Sequence, residues 1–178
     1  MIKIGIDIMG GDYAPMGPLN AAIKYANENK GLEVHIYGNQ DALDSKEVPS
    51  NIVKHYTTEV ITNDEEPAMA IRKKKDSSIV VGAKDLKEKK LDAFLSSGST
   101  GALVAAGVFV VRRIKGIERP SLPAFLPTGG KKQPTIFLDV GANIDTKVEH
   151  MVENAKIANI YSKTVFGVES PKIALLNI

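Results

Sequence analysis

The sequence contains no cysteine, which excludes a disulfide framework, a thiolate-ligated zinc site and a cysteine nucleophile. Aromatic residues are scarce at 6%, so the core must be built from the Ile, Val, Leu and Ala within the 43% hydrophobic fraction. Neither sign of charge prevails. Lys plus Arg number 23 against 21 for Asp plus Glu, and the resulting +2 does not by itself make a nucleic-acid binder. Long apolar runs are also missing: the longest, Ala102 to Val111, covers about half of the ~20 residues that a membrane-crossing helix needs, and reads as a buried helix. Met1-Ile2-Lys3-Ile4 reaches Asp7 with no room for the apolar stretch of a signal peptide, so a cytoplasmic protein is expected. His35, His55 and His150 have no partner at ligand spacing, and no metal site is expected.

A length of 178 residues suffices for one buried domain or for part of a larger one. Ile2 to Ile8 is rich in β-branched residues and stops at Gly10-Gly11, the pattern of a first strand. Pro18 suits the opening turn of a helix running to about Asn29. Strands are expected at Glu33 to Tyr37 and near Asn51 to Tyr56, joined by a polar connection. Asn63-Asp64-Glu65-Glu66-Pro67 sets up a helix N-terminus that leads into Arg72-Lys73-Lys74-Lys75. Asp76-Ser77-Ser78 breaks that helix and caps the next, which carries Ile79, Val80, Ala83 and Leu86 at helical spacing. A short strand, Asp92 to Ser96, then enters Ser97-Gly98-Ser99-Thr100-Gly101 and the apolar helix.

Leu122 to Leu126 and Thr135 to Val140 read as two strands about the turn Thr128-Gly129-Gly130-Lys131, a hairpin within an otherwise parallel sheet. A helix from about Lys147 to Phe166 has apolar residues at 148, 151, 155, 158 and 165, the period of a helix packed on one face. Lys172 to Ile178 reads as a last strand. Repeated βα units predict an α/β fold with a doubly wound, mostly parallel sheet and helices on both faces. Because the final strand simply stops, residues 1–178 are expected to be the N-terminal portion of a longer single domain.

Three loops carry the polar residues that such a sheet would use. In Ser96-Ser97-Gly98-Ser99-Thr100-Gly101-Ala102 the end of a strand turns through glycines into a helix, where free N–H groups, the helix dipole and neighbouring hydroxyls make a cradle for phosphate. The alternative is that Ser99 or Thr100 merely caps the helix. The loop lacks the lysine of a Walker A motif and the spacing of a dinucleotide fingerprint, so no nucleotide and no other cofactor is indicated. Asp7, Gly10, Gly11 and Asp12 put two carboxylates and flexible backbone beyond the first strand, either to organise substrate or to satisfy their own turn. Their spacing also resembles, over a short stretch, the phosphate loop of actin-like kinases. Asp139, Asn143 and Lys147 flank a second strand-to-helix loop. Arg72 and Lys73 lie in the densest positive run, either a solvated helix end or a contact for phosphate or an acidic protein.

Taken together, Ile6-Asp7-Ile8-Met9-Gly10-Gly11-Asp12-Tyr13-Ala14-Pro15, Ala70 to Ser78, Ser97 to Leu103, Gly116-Ile117-Glu118-Arg119-Pro120 and Leu138 to Asn143 resemble, in order and spacing, the phosphate acyltransferases of bacterial phospholipid synthesis, the PlsX type. The resemblance runs from residue 2 to residue 178. Ile8 departs from the Ala that is frequent there. The resemblance implies an isopropylmalate dehydrogenase-like and phosphotransacetylase-like fold, a homodimer, and transfer of a fatty acyl group from an acyl carrier protein thioester to inorganic phosphate. It also implies a further half, absent here, that carries peripheral membrane association. With no cysteine, phosphate itself is the expected nucleophile. Ser97, Gly98, Ser99, Thr100 and Gly101 would hold it, and Arg72 or Lys73 would offset its charge. Asn143 or Lys147 would face the oxyanion, while Asp7 and Asp139 orient donors. Two rival readings are a kinase, suggested by the Asp7 to Gly11 loop, and a non-catalytic module that docks a carrier protein through its basic run.

Overall fold

A computed structural model describes residues 1–129, 133–140 and 147–176. The chain divides into two compact units, Met1–Arg112 and Arg113–Ile178.

The first unit is built on four strands: β1 (Ile2–Asp7), β2 (Leu32–Gly38), β3 (Ile52–Tyr56) and β4 (Ala93–Ser96). All pair in parallel, in the order β3-β2-β1-β4. Parallel neighbours cannot be joined by a tight turn, so every connection carries helix. α1 (Met16–Glu28) and the short α2 (Gln40–Asp44) lead to β2 and β3, while α3 (Pro67–Lys73) and α4 (Ser78–Lys87) lead back across to β4. α2 occupies what the sequence offers only as a polar connection; Asn39 starts it by accepting from the Ala42 N–H at 2.9 Å. After β4 come α5 (Thr100–Ala106) and a π-helical extension, Gly107–Val111.

The two sheet faces differ in chemistry. Ile8, Val34, Ile36 and Ile52 pack with Leu19, Ala22 and Ala26 of α1 and Leu43 of α2 into one apolar core. α4 covers the opposite face. It approaches so closely that a methyl on Gly82 would stand 2.0 Å from the Phe94 ring. This face carries a polar ladder. Lys3 pairs with Glu33 at 3.1 Å, Glu33 meets His35 Nε2 at 2.7 Å, and His35 Nδ1 lies 2.8 Å from His55 Nε2. In the neutral pair His35 Nε2–H donates to the Glu33 carboxylate, so His35 Nδ1 accepts from His55 Nε2–H. The Tyr37 hydroxyl donates to Asp85 at 2.9 Å, and Lys90 pairs with the other Asp85 oxygen at 3.1 Å. Burial and the Asp85 carboxylate push the Tyr37 phenol well up, whereas burial, followed by the neighbouring His35, pushes the His55 imidazole down. A second apolar cluster, including Ile61, Ile71, Ile79, Val80, Ala102 and Ala106, glues α3, α4 and α5 together.

In the second unit β5 (Pro123–Leu126) and β6 (Thr135–Leu138) form an antiparallel hairpin, and α6 (Val148–Phe166) follows. The hairpin is the expected one, but it makes a two-stranded sheet of its own rather than part of the parallel sheet. The expected helix is present as well, yet Val148, Met151 and Val165 are 70%, 38% and 56% exposed. The face turned inward instead carries Glu153, which accepts from the Glu118 N–H at 3.1 Å, and Tyr161, whose ring packs against Phe125 at 5.3 Å. Two short strands offer too little apolar surface to cover a longer stripe. The expected last strand is absent among the described residues: Lys172 to Leu176 has no regular structure, and Leu175 and Leu176 are 71% and 84% exposed. A strand needs a neighbouring backbone to bond, and among the described residues this segment pairs with none. No described helix is long and apolar enough to cross a membrane.

Candidate functional site

The strand order fixes where a ligand can enter. β2 and β3 lie to one side of β1 and β4 to the other, so the loops leaving β1 and β4 diverge at their carboxyl ends. That is the switch point at which open α/β sheets form a crevice. Its floor is the pair Asp7 and Ser96, the last residues of β1 and β4 and partners in register.

Asp7 is 1% exposed. Burying a carboxylate requires donors on both oxygens, and it has them: Oδ1 accepts from the Met9 N–H at 2.9 Å and Oδ2 from the Ser96 hydroxyl at 2.7 Å. Ser96 Oγ accepts in turn from the Gly98 N–H at 3.1 Å. The two loops are latched again by the Ser97 hydroxyl, which donates to the Gly10 carbonyl at 2.8 Å. Contact is backbone to backbone. A Cβ on Gly10 would lie 2.5 Å from Gly98 Cα, and Gly11 adopts φ +99°, where its Cβ would meet Ser97 Oγ at 2.8 Å. Glycine is therefore needed at both positions, at Gly10 for close approach and at Gly11 for its left-handed backbone.

Ser99 caps α5, its hydroxyl accepting from the Ala102 N–H at 3.3 Å. Ser96, Ser97 and Ser99 thus spend their hydroxyls on shaping the loop. The exposed Thr100 begins the helix, and its N–H and that of Gly101 have no carbonyl within the helix to serve. Those N–H groups, with the Thr100 hydroxyl, are the donors left for a ligand. A depression of about 210 Å³, lined by Ile6, Asp7, Pro18, Leu95, Ser96 and Ser97, lies at the ends of β1 and β4, and the residues that carry those donors are not in its lining.

Asp7, Gly10, Gly11, Ser97, Gly98, Ser99, Thr100 and Gly101 are thus brought together. Asp12 follows on an exposed turn closed by the Ala14 N–H to the Gly11 carbonyl, 3.1 Å. Arg72 and Lys73 are not brought to the loop. α3 runs alongside α5 with Pro67 beside Gly101, and the Arg72 guanidinium sits 5.4 Å over the Phe109 ring, roughly 12 Å along the helix from Gly101 at 1.5 Å per residue. Asp139 follows β6 with φ +64°, and the Lys147 N–H, at the start of α6, donates to His150 Nδ1 at 3.4 Å; both belong to the second unit. Asn143 lies outside the described residues. Ser96 opens the loop that the sequence singles out, but its part as the hydroxyl between Asp7 and the Gly98 N–H was not legible there. Its signal was its place as the last strand residue before the glycine loop, but only the register with Asp7 gives that place meaning.

A family model described as "Fatty acid synthesis protein" matches residues 2–178. The chain belongs to that family. It is 46% identical over 178 residues to the "Phosphate acyltransferase" of Macrococcus caseolyticus, covering 100% of this chain and 54% of that protein. It is 45% identical over 178 residues to the protein of the same name from Staphylococcus haemolyticus, covering 100% and 53%. With the one from Syntrophomonas wolfei it shares 42% over 183 residues, covering 99% and 56%. The chain thus spans about half the length of the curated relatives it matches.

Proposed function

We propose that the whole protein is an acyltransferase that moves a fatty acyl group from an acyl carrier protein thioester to inorganic phosphate, and that the crevice between β1 and β4 is its phosphate site. The observation that carries this reading is the latch of the Gly10-Gly11 loop to the Ser97-Gly98 loop, which leaves the Thr100 hydroxyl and the Thr100 and Gly101 N–H groups facing outward at a helix start. The names of the relatives support it.

The chemistry needs no enzyme nucleophile. A phosphate oxygen of the dianion attacks the thioester carbonyl carbon, a C–O bond forms, the C–S bond breaks, and the electron pair leaves on sulfur as a thiolate that takes up a proton. Phosphate has a second pKa of ~6–7 by analogy with phosphorylated side chains, so the nucleophile is populated at neutral pH. A leaving thiol with a pKa near 8.5 asks for little acid assistance. Catalysis then rests on holding the anion in line with the carbonyl and keeping competing water out. Asp7 acts through Ser96: its charge fixes the Ser96 hydroxyl, which fixes the Gly98 N–H.

Titration of the chain with orthophosphate, followed by amide NMR, tests the site. Saturable shifts confined to Gly98 through Ala102 and Met9 through Asp12 are expected, together with phosphate-dependent release of free thiol from acyl carrier protein by the full-length protein. Silent loop amides, or nucleotide binding in their place, would overturn the reading.

A further inference from the structure

The positive run that the crevice does not use has its own organisation. Met69, Arg72 and Lys73 stand at i, i+3 and i+4 and share one face of α3. The Arg72 guanidinium carbon lies 5.4 Å from the centre of the Phe109 ring in the π-helical extension, and Met69 and Phe109 are 45% and 49% exposed. Lys75 and Lys84 follow beside α3: Lys75 Nζ donates to the Ile71 carbonyl at 3.2 Å and Lys84 Nζ to the Lys75 carbonyl at 3.1 Å, tying the start of the basic loop to α4. Arg72, Lys73, Lys75 and Lys84 are all exposed, and none forms an ion pair among the described residues. Lys74, in their midst, is spent internally on Glu65 and the Val60 carbonyl, both at 2.6 Å. The nearby carboxylates of Asp76 and Glu59 make no ion pair with these cations among the described residues: Asp76 accepts from the Thr58 N–H and hydroxyl, and Glu59 from the Asp76 N–H.

A half-exposed apolar centre of Met and aromatic, an Arg stacked on it and a rim of unpaired lysines are the ingredients of a protein interface rather than of a solvated helix end. The uncompensated sign selects the partner, since only an acidic surface recovers the Coulomb energy that this face leaves unused. Placement narrows it further. Pro67, at one end of α3, packs beside Gly101 of the crevice, and Arg72 is five residues on, roughly 7.5 Å along the helix.

We infer that the face formed by Met69, Arg72, Lys73, Lys75, Lys84 and Phe109 docks the acidic carrier protein that brings the acyl thioester, so that its arm enters the crevice from the α3 side. This rests on the proposed function and adds the surface that recognises the macromolecular substrate.

The test uses the full-length protein, the Lys75→Glu/Lys84→Glu variant, and the same acyl group presented in two ways, on acyl carrier protein and on free pantetheine. Both lysines are exposed, outside the crevice and free of ion pairs among the described residues, each bonding only a backbone carbonyl. The KM for the carrier-borne donor should rise about tenfold or more at low salt, and the gap to wild type should shrink as salt is added. Turnover of acyl-pantetheine and the KM for phosphate should not change. An unchanged carrier KM at low salt overturns the inference. Equal loss with both donors does so too, because it marks damage to the fold or the crevice. A change of oligomeric state with no change in carrier KM assigns the face to a second copy of the chain, and likewise overturns it. If wild-type protein shows no phosphate-dependent thioester cleavage with either donor, the proposed function itself fails, an outcome distinct from all of these.

Discussion

Replacing Gly10 by Ala perturbs the latch at its tightest point. The added Cβ would stand 2.5 Å from Gly98 Cα, 2.6 Å from Gly98 N and 2.9 Å from Asp7 Oδ2. Ordinary contact between carbon atoms is about 3.5–4.0 Å, so the loops must part by about 1 Å, and the obstacle is backbone that cannot turn aside like a side chain. Overpacking of this kind costs about 1–3 kcal/mol, which at the middle of that range lowers Tm by roughly 4–8 °C in a chain of this size. The functional cost should be larger. Moving Gly98 away from β1 stretches the hydrogen bond from its N–H to Ser96, and with it the donors at the start of α5; misplacement by 1 Å costs on the order of 100-fold in rate. The expectation is a raised phosphate KM and about 100-fold lower kcat/KM in the full-length protein. Gly98→Ala should be milder, because its Cβ meets Gly10 Cα at 3.0 Å, and Gly31→Ala, with nothing within 4 Å, should be close to neutral. Thermal melts and phosphate-dependent thiol release on all three variants check the order. Wild-type phosphate kinetics in Gly10→Ala, or a greater loss in Gly98→Ala, would show that the latch does not set the site.

Ser96→Ala removes both the donor to Asp7 and the acceptor for the Gly98 N–H, and should cost about 2 kcal/mol in urea unfolding while raising the phosphate KM; Ser96→Thr should recover most of both. Thr100→Val keeps the shape of an exposed residue, so stability should stay within about 0.5 kcal/mol while the phosphate KM rises several-fold. Gly82→Ala, whose Cβ would meet the Phe94 ring at 2.0 Å, should destabilise by about 1–3 kcal/mol without selectively weakening phosphate binding by the folded protein. His55 should make stability depend on pH. Its folded pKa lies below the 6.5 of a free imidazole, chiefly through burial, so the unfolded chain takes up the proton first as pH falls. Its contribution is complete above the unfolded value and is lost as pH drops through 6.5 toward the folded one. Urea midpoints measured from about pH 7.5 to about pH 5.5 should fall, and His55→Gln should flatten that slope; an unchanged slope would show that the ladder under α4 does not titrate with folding.

The sequence by itself determined every strand and the longer helices of the first unit, and the loops that matter. β-branched alternation in Ile2 to Ile8, Pro67 behind a run of acids, and the strand, glycine loop and helix around Ser97 are local signals, and local backbone chemistry is enough to make them legible. α2 was not legible, because a five-residue helix held by one Asn39 cap has too short a period to read. The lack of a strand at Lys172 to Leu176 was not legible either, since a strand exists only with a neighbour and the letters record propensity alone. The site divides in the same way. Gly10, Gly11 and the Ser97 to Gly101 loop announced themselves, but that Asp7 and Ser96 meet in register, leaving Thr100 to face outward while Ser97 and Ser99 are consumed, came from the order β3-β2-β1-β4. The same tertiary packing took Arg72 to Phe109, away from the Ser97 to Gly101 loop. Strand pairing and helix crossing act between residues as far apart as Asp7 and Ser96, and no pattern read along the chain encodes that distance.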